Sequence, residues 1–279
     1  MSNLRERFAT LVAQRTCTLE RAALEIARIG HPALDPRPSL RALDALADGL
    51  RRRVPPGTPP DEAARILVRY LFEECGFRGN RQEYYDPRNS FLNDVLERRT
   101  GIPISLSVVA IEVGRRLGVR LEGVGFPGHF LVRAAGSRDA ALLDCFQGGT
   151  EVDEDDLLSR LRTLSESSGG PEFAQVPAQF LEPTPMPAIL ARMLRNLLRI
   201  YQERRENALA LAAVDLLLVL TPRSPEDLRT RARLYEALEC YASAADDLRR
   251  YLTLAPKAAD VEEVRSTLRR LSDDSPTLH

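Results

Sequence analysis

"GFPGHFLVRAAGSRDAALLDCF", residues 125–146, breaks the helical rhythm of the chain. "HFLVRAA" (129–135) and "AALLDCF" (140–146) are short apolar runs on either side of a polar turn at Ser137–Asp139, which reads as a β-hairpin. With "RLEGVGF" (120–126) they are the clear β content of the chain. Pairing the two runs sets His129 opposite or nearly opposite Asp144, with Cβ atoms about 5 Å apart. An aspartate there accepts the Nδ1–H of His129, fixes its tautomer and stabilises its protonated form, which is half of a hydrolytic triad. The same pair also serves to tie down a sheet end, and both readings stand. The other two histidines offer less: His31 precedes a proline, and His279 is the last residue of the sequence.

Upstream lies "GIPISLSVVAIEVGRRLG" (101–118). Its spacing predicts a helix from Pro103 with Leu106, Val109, Ala110, Val113 and Leu117 as the buried stripe, stopped by Gly118. A shorter helix is predicted over Ser90–Arg98. Before it, "NRQEYYDPRNSFLND" (80–94) has no period and gathers amides, phenols and charges. Such loops build pockets. Tyr84, Tyr85, Asn89 and Asn93, with Ser107 of the long helix, are the residues predicted to line a cleft containing His129. The plainer alternative is that Asn89 or Ser90 caps the next helix and the tyrosines pack.

Residues 2–75 read as helical, through "LERAALEIARI" (19–29), "SLRALDALADGLRRRV" (39–54) and "TPPDEAARILVRYLFEEC" (58–75), the last with Thr58 as cap. "DEDDLLSRL" (153–161) returns to helix with Asp153 and Asp156 as a capping box. "SESSGGPEFAQVPAQFLEPTPMP" (165–187) is a linker. The division expected is therefore residues 1–170 and residues 184–279.

The C-terminal third repeats itself. Tyr201 and Tyr235, Ala208 and Ala242, and Pro222 and Pro256 share the tetratricopeptide period of about 34 residues. An alanine early in the second helix lets two helices approach closely. Ser224–Pro225 opens the next helix, and Asp260 with Glu263 opens a final capping one.

Composition excludes several chemistries. Lys257 is the only lysine, which removes a P-loop and leaves Schiff-base chemistry one poorly placed candidate. Net charge is −1 and arginines alternate with acids, so no nucleic-acid partner is expected. Four cysteines lie far apart with no CxxC pair, so neither disulfides nor a zinc site is expected, and no cofactor is implied. Apolar runs are short and the opening "MSNLRERFATLVAQR" lacks a signal-peptide core, which predicts a cytoplasmic protein with no membrane partner.

A helix start, a strand carrying His and a strand carrying Asp about 15 residues later resemble the transglutaminase-like, papain-related fold. "NSFLNDVLERRTGIPISLSVVAIEVGRRLG" followed by "VGFPGHFLVR" resembles the bacterial SirB-type family, transglutaminase-like proteins with a tetratricopeptide tail often described as regulators of SirC expression. The resemblance implies an α+β fold: a helical N-terminal section, a transglutaminase-like core with a small antiparallel sheet, and C-terminal tetratricopeptide-like hairpins. It also implies regulation.

Active relatives place a nucleophilic cysteine near the start of the helix, where the helix dipole lowers its pKa. This chain has no cysteine between Cys75 and Cys145. Cys145 follows Asp144 on one strand and so points to the opposite face, as a small buried hydrophobe. Ser105 remains, either as a nucleophile with His129 as base and Asp144 as orienting acid, or as a hydroxyl that satisfies the first helical turn. Ser107 is a second candidate. The leading expectation is a non-catalytic or cryptic transglutaminase-like protein that binds protein or peptide through its cleft and repeats. The alternative is an amide hydrolase or acyl transferase using Ser105, His129 and Asp144.

Overall fold

A computed structural model describes residues 2–136 and 140–273. The predicted turn at Ser137–Asp139 and His279 therefore lie outside the described residues. The chain opens with α1 (Ser2–Val12), α2 (Leu19–Ala27), α3 (Arg37–Arg51) and α4 (Pro60–Arg69), the last running into a π-turn over Tyr70–Glu74. Then follow β1 (Arg78–Gly79), α5 (Leu92–Arg98), β2 (Thr100–Gly101) and α6 (Pro103–Leu117). The sheet region comprises β3 (Leu121–Val124), β4 (Leu131–Ala134), β5 (Leu142–Asp144) and β6 (Thr150–Val152), closed by α7 (Glu154–Ser168). Five more helices follow among the described residues: α8 (Met186–Glu203), α9 (Asn207–Leu220), α10 (Pro225–Ala237), α11 (Tyr241–Leu254) and α12 (Val261–Asp273).

Contacts divide the chain into two units. The core unit holds residues 18–27 and 33–190. In it β3, β4, β5 and β6 form an antiparallel meander, with Val124 opposite Leu131, Val132 opposite Leu143 and Asp144 opposite Thr150. The fourth strand and the short parallel pair β1–β2 are additions to the sequence reading. Both are two or three residues long, too short for a period-2 signal to develop.

Helix α6 is buried beyond the predicted stripe over its first two turns, while Leu117 at its end is only half-buried. Every residue from Pro103 to Ala110 is buried, Ser105 and Ser107 included, because α2, α3, α4, α5 and the sheet all pack around it. Hydrophobic periodicity describes a helix with one wet face, and this helix has none over its first two turns. Gly118 ends it in the left-handed region, φ 77°.

The linker is partly ordered structure. α7 continues to Ser168, and Phe173, Val176, Phe180 and Leu181 pack on Val124, Phe126, Leu131, Leu157 and Leu161. Thr184 N donates to Gly123 O at 2.8 Å and Gly125 N donates to Thr184 Oγ1 at 2.8 Å, fastening the segment to β3. Two predicted caps differ. Thr58 donates to Pro55 O and leaves Pro59 at the start of α4. The Asp260 carboxylate is taken by Arg229 and Tyr251 instead of the first turn of α12.

The other unit comprises residues 1–17, 28–32 and 191–279. Here α9 packs on α10, α10 on α11 and α11 on α12, while α1 packs on α9. The period of 34 residues is repeated in the backbone: Arg205 and Glu239 both take left-handed φ, 58° and 59°, at the turns before α9 and α11. The close-approach alanines are Ala210 and Ala244, fully buried, and not the exposed Ala208 and Ala242 of the sequence reading. Both pairs have the same period, so spacing alone does not choose between them.

Candidate functional site

Asp144 ends β5 and caps the 3-10 turn Cys145–Gln147. Its Oδ1 accepts from Phe146 N at 3.0 Å and Gln147 N at 3.1 Å. That cap fixes the carboxylate, and its other oxygen points at a guanidinium and an imidazole. Arg160 NH2, one and a half turns into α7, donates to Asp144 Oδ2 at 2.8 Å. His129 Nε2 lies 2.8 Å from the same oxygen. The Asp144 side chain is 0% exposed and that of His129 13%. Burial works against ionisation of Asp144, but the imidazole and the Arg160 guanidinium together hold its carboxyl below the ordinary carboxylate value.

The geometry differs from the hairpin reading in two respects. His129 precedes β4 by two residues, in the turn where its N–H donates to Phe126 O at 3.0 Å. Nε2, not Nδ1, faces Asp144. The side chain reaches the aspartate diagonally from that turn, a distance cross-strand neighbours two residues apart can span.

The candidate hydroxyls are elsewhere. Ser105 Oγ accepts from Ile102 N at 3.1 Å and donates toward Asn89 O at 2.6 Å, with Ile102 O at 3.1 Å. It is the third residue of α6 and closes the helix start while tying it to the preceding loop. Gly101 serves this arrangement: a Cβ there would fall 2.6 Å from Ser105 Oγ. Thus "GIPIS" encodes a helix start in which glycine makes room, proline opens the helix and serine caps it. Ser107 is buried beside the Cys145 thiol. Burial, with the Asp144 charge nearby, pushes that thiol up to about 12, against the smaller opposing effect of Ser107. A thiol in that state is not a nucleophile at neutral pH.

A cleft of about 530 Å³ borders the dyad. Arg81, His129, Phe146, Gln147 and Arg160 line it, with Ser159, Thr163 and Leu164 of α7 along one side. Ser105, Ser107, Asn89 and Asn93 are not among its lining residues. Asn89 Nδ2 donates to Glu83 O at 2.7 Å and Tyr84 O at 3.2 Å, and its Oδ1 accepts from Asn80 and Arg98; its amide is spent on holding the loop. Asn93 donates to Asp94 Oδ1 at 3.0 Å. Tyr84 is not among the lining residues but meets the Phe146 ring edge to face at 5.8 Å, and Tyr85, 48% exposed, stands edge-on to Tyr84 at 5.3 Å. Phe146 also meets the His129 ring edge-on at 6.3 Å.

The sequence reading missed Arg81, Phe146 and Arg160. Arg81 and Phe146 lie inside stretches that were singled out, but nothing in the pattern distinguishes them. The Asp144–Arg160 pairing has no local signal, since it depends on how α7 folds back on the sheet. Among the described residues no group of three or more His, Cys, Asp and Glu side chains is placed to hold a metal ion.

The transglutaminase-like superfamily profile matches residues 38–195, over half of the chain and all of the elements that build this site. The protein belongs to the transglutaminase-like superfamily. In this transglutaminase-like chain a tetratricopeptide repeat profile follows at residues 197–269, which points to protein–protein interaction. The chain is 40% identical over 268 residues to the UPF0162 protein of Xylella fastidiosa, covering 96% of this chain and 95% of that one. It is 35% identical over 246 residues to the UPF0162 protein PA3419 of Pseudomonas aeruginosa, covering 88% and 87%. F-box only protein 21 of Homo sapiens is 34% identical over 169 residues, 59% of this chain and 26% of that protein. These relationships agree with the SirB-type resemblance of the sequence. No solved structure matches. Among the described residues no helix is long and apolar enough to cross a membrane.

Proposed function

We propose that this transglutaminase-like chain works without catalysis, in the cytoplasm, by binding protein or peptide segments through its cleft and its repeats in a regulatory role. The observation that carries the reading is the state of Ser105. Its hydroxyl is inaccessible and engaged with Asn89 O and the Ile102 backbone, so Ser105 is not free to attack a carbonyl, and Ser107 is buried away from the cleft lining. The dyad supports the same reading. In a working triad the aspartate stabilises the imidazolium that forms on proton transfer. Here Arg160 already neutralises Asp144, so the carboxylate has less to offer a second positive charge.

The intact protein should therefore resist a fluorophosphonate probe and retain binding after treatment. Covalent labelling that disappears in Ser105→Ala, or in Ser159→Ala within the cleft, would revive the alternative of an amide hydrolase or acyl transferase.

A further inference from the structure

We infer that the His129 cleft selects acidic peptides, taking a carboxylate between Arg81 and His129 and an adjoining apolar side chain against Phe146 and Leu164. The inference rests on the peptide-binding reading above and adds the charge of the ligand. In a chain with 40 acidic residues, no Asp or Glu among the described residues lines this cleft, although two arginines and a histidine do. The two arginines are differently placed. Arg160 is matched by Asp144. Arg81 is exposed and has no carboxylate partner among the described residues; its guanidinium carbon stands 6.0 Å from the centroid of the Phe146 ring.

A guanidinium held beside an aromatic face keeps its N–H donors directed outward and presents them in the planar fork that fits a carboxylate. The position is built into the fold. Arg81 follows β1, and β1 is pressed onto the 3-10 turn so closely that a Cβ at Gly79 would lie 2.5 Å from the Phe146 ring. Only glycine admits that approach, which sets Arg81 and Phe146 together at the mouth of the cleft. The apolar share of the site comes from Phe146, Pro127 and Leu164. Cation, ring and apolar wall together favour a segment in which Glu or Asp neighbours a large apolar residue.

The test uses the full-length protein labelled on its histidine rings and two blocked peptides, N-acetyl-Phe-Glu-Phe amide and N-acetyl-Phe-Gln-Phe amide, titrated by NMR. The glutamate peptide should move the His129 ring signals and bind about three- to tenfold more tightly than the glutamine peptide. The preference should vanish in Arg81→Gln and persist in Arg65→Gln, whose guanidinium pairs with Glu151 outside the cleft. A third peptide, Phe-Phe with a free C-terminal carboxylate, separates a terminal from a side-chain carboxylate: binding as tight as the glutamate peptide assigns the pocket to chain ends. Equal affinity for the glutamate and glutamine peptides would overturn the charge selection while leaving peptide binding intact. Preference unchanged by Arg81→Gln, or no binding of either peptide, would also overturn it. Failure of the parent reading would show separately, as fluorophosphonate labelling.

Discussion

Each unit of the molecule contains one arginine that meets a buried aspartate 16 residues away, and the two clusters end differently. In the repeats, Arg231 of α10 makes a two-bond fork to Asp247 of α11, at 2.6 and 2.7 Å, and a third bond to Asp215 of α9 at 2.7 Å. Two acids answer one base, and burial is outweighed by those acids, which push the Arg231 guanidinium further up. In the core, one acid answers an arginine and an imidazole, and the imidazole borders a cleft. The first cluster is closed and pins three helices. The second opens its imidazole onto a concave surface, and concave surfaces with a few convergent polar groups are where ligands bind.

The contrast is sharpest under mutation. Arg231→Ala strands the buried Asp247 carboxylate and the half-buried Asp215 and should cost about 3–5 kcal/mol in urea unfolding of the intact protein. A loss below about 1 kcal/mol would show the repeat cluster to be as open as the core one. Ser105→Ala removes the partner of two buried backbone groups, Ile102 N–H and Asn89 C=O, and should cost about 1–3 kcal/mol while leaving peptide affinity unchanged. A loss of affinity with no loss of stability would instead give Ser105 a role in the site.

A pH scan adds a third comparison, because the core contains a second acid cluster. Glu20 of α2 and Glu112 of α6 are buried together against Arg115 and Arg116. Burial, reinforced by Glu20, pushes the Glu112 carboxyl up to about 7 from an ordinary 4.5. Burial alone would raise Glu20 as well, but its hydrogen bond with Glu112 and the Arg115 charge hold it below its ordinary value. The two partners therefore act in different windows. Stability from Glu112, whose folded-state pKa is raised, is complete below about 4.5 and lost as pH rises through about 7. Stability from Glu20, whose pKa is depressed, is present above its unfolded value and lost only in acid. Between pH 5.5 and 7.5 the unfolding free energy of the wild type from urea titration should fall by on the order of 1–3 kcal/mol, and Glu112→Gln should flatten the change. An equal slope in the variant would remove Glu112 as the cause.

His129→Ala should have the smallest effect on stability, about 1 kcal/mol or less, since Asp144 keeps Arg160 and two backbone donors. Its measurable consequence should be on glutamate-peptide affinity. A destabilisation as large as that of Arg231→Ala would make the core cluster structural after all.

The elements with a long period were legible from sequence. The repeat at 34 residues, the Asp153–Asp156 box, the Ser224 cap and the Pro103–Gly118 helix all stand where local spacing put them, because caps and periods are short-range physics. Local spacing also singled out Ser105, Asn89 and the tyrosines as polar groups near a helix start, without saying which way they turn.

The amino-acid sequence by itself determined the family architecture, the absence of a cysteine between Cys75 and Cys145, and the nearness of His129 to Asp144 across the hairpin. Only the tertiary structure decided that Ser105 is spent on the helix start, that Arg160 shares the aspartate, and that Arg81 and Phe146 flank the cleft. The reason is range. A cap or a hairpin is closed by residues a few positions apart, whereas Arg160 reaches Asp144 only once α7 has folded back on the sheet, and Arg81 reaches Phe146 only because Gly79 lets two distant segments touch.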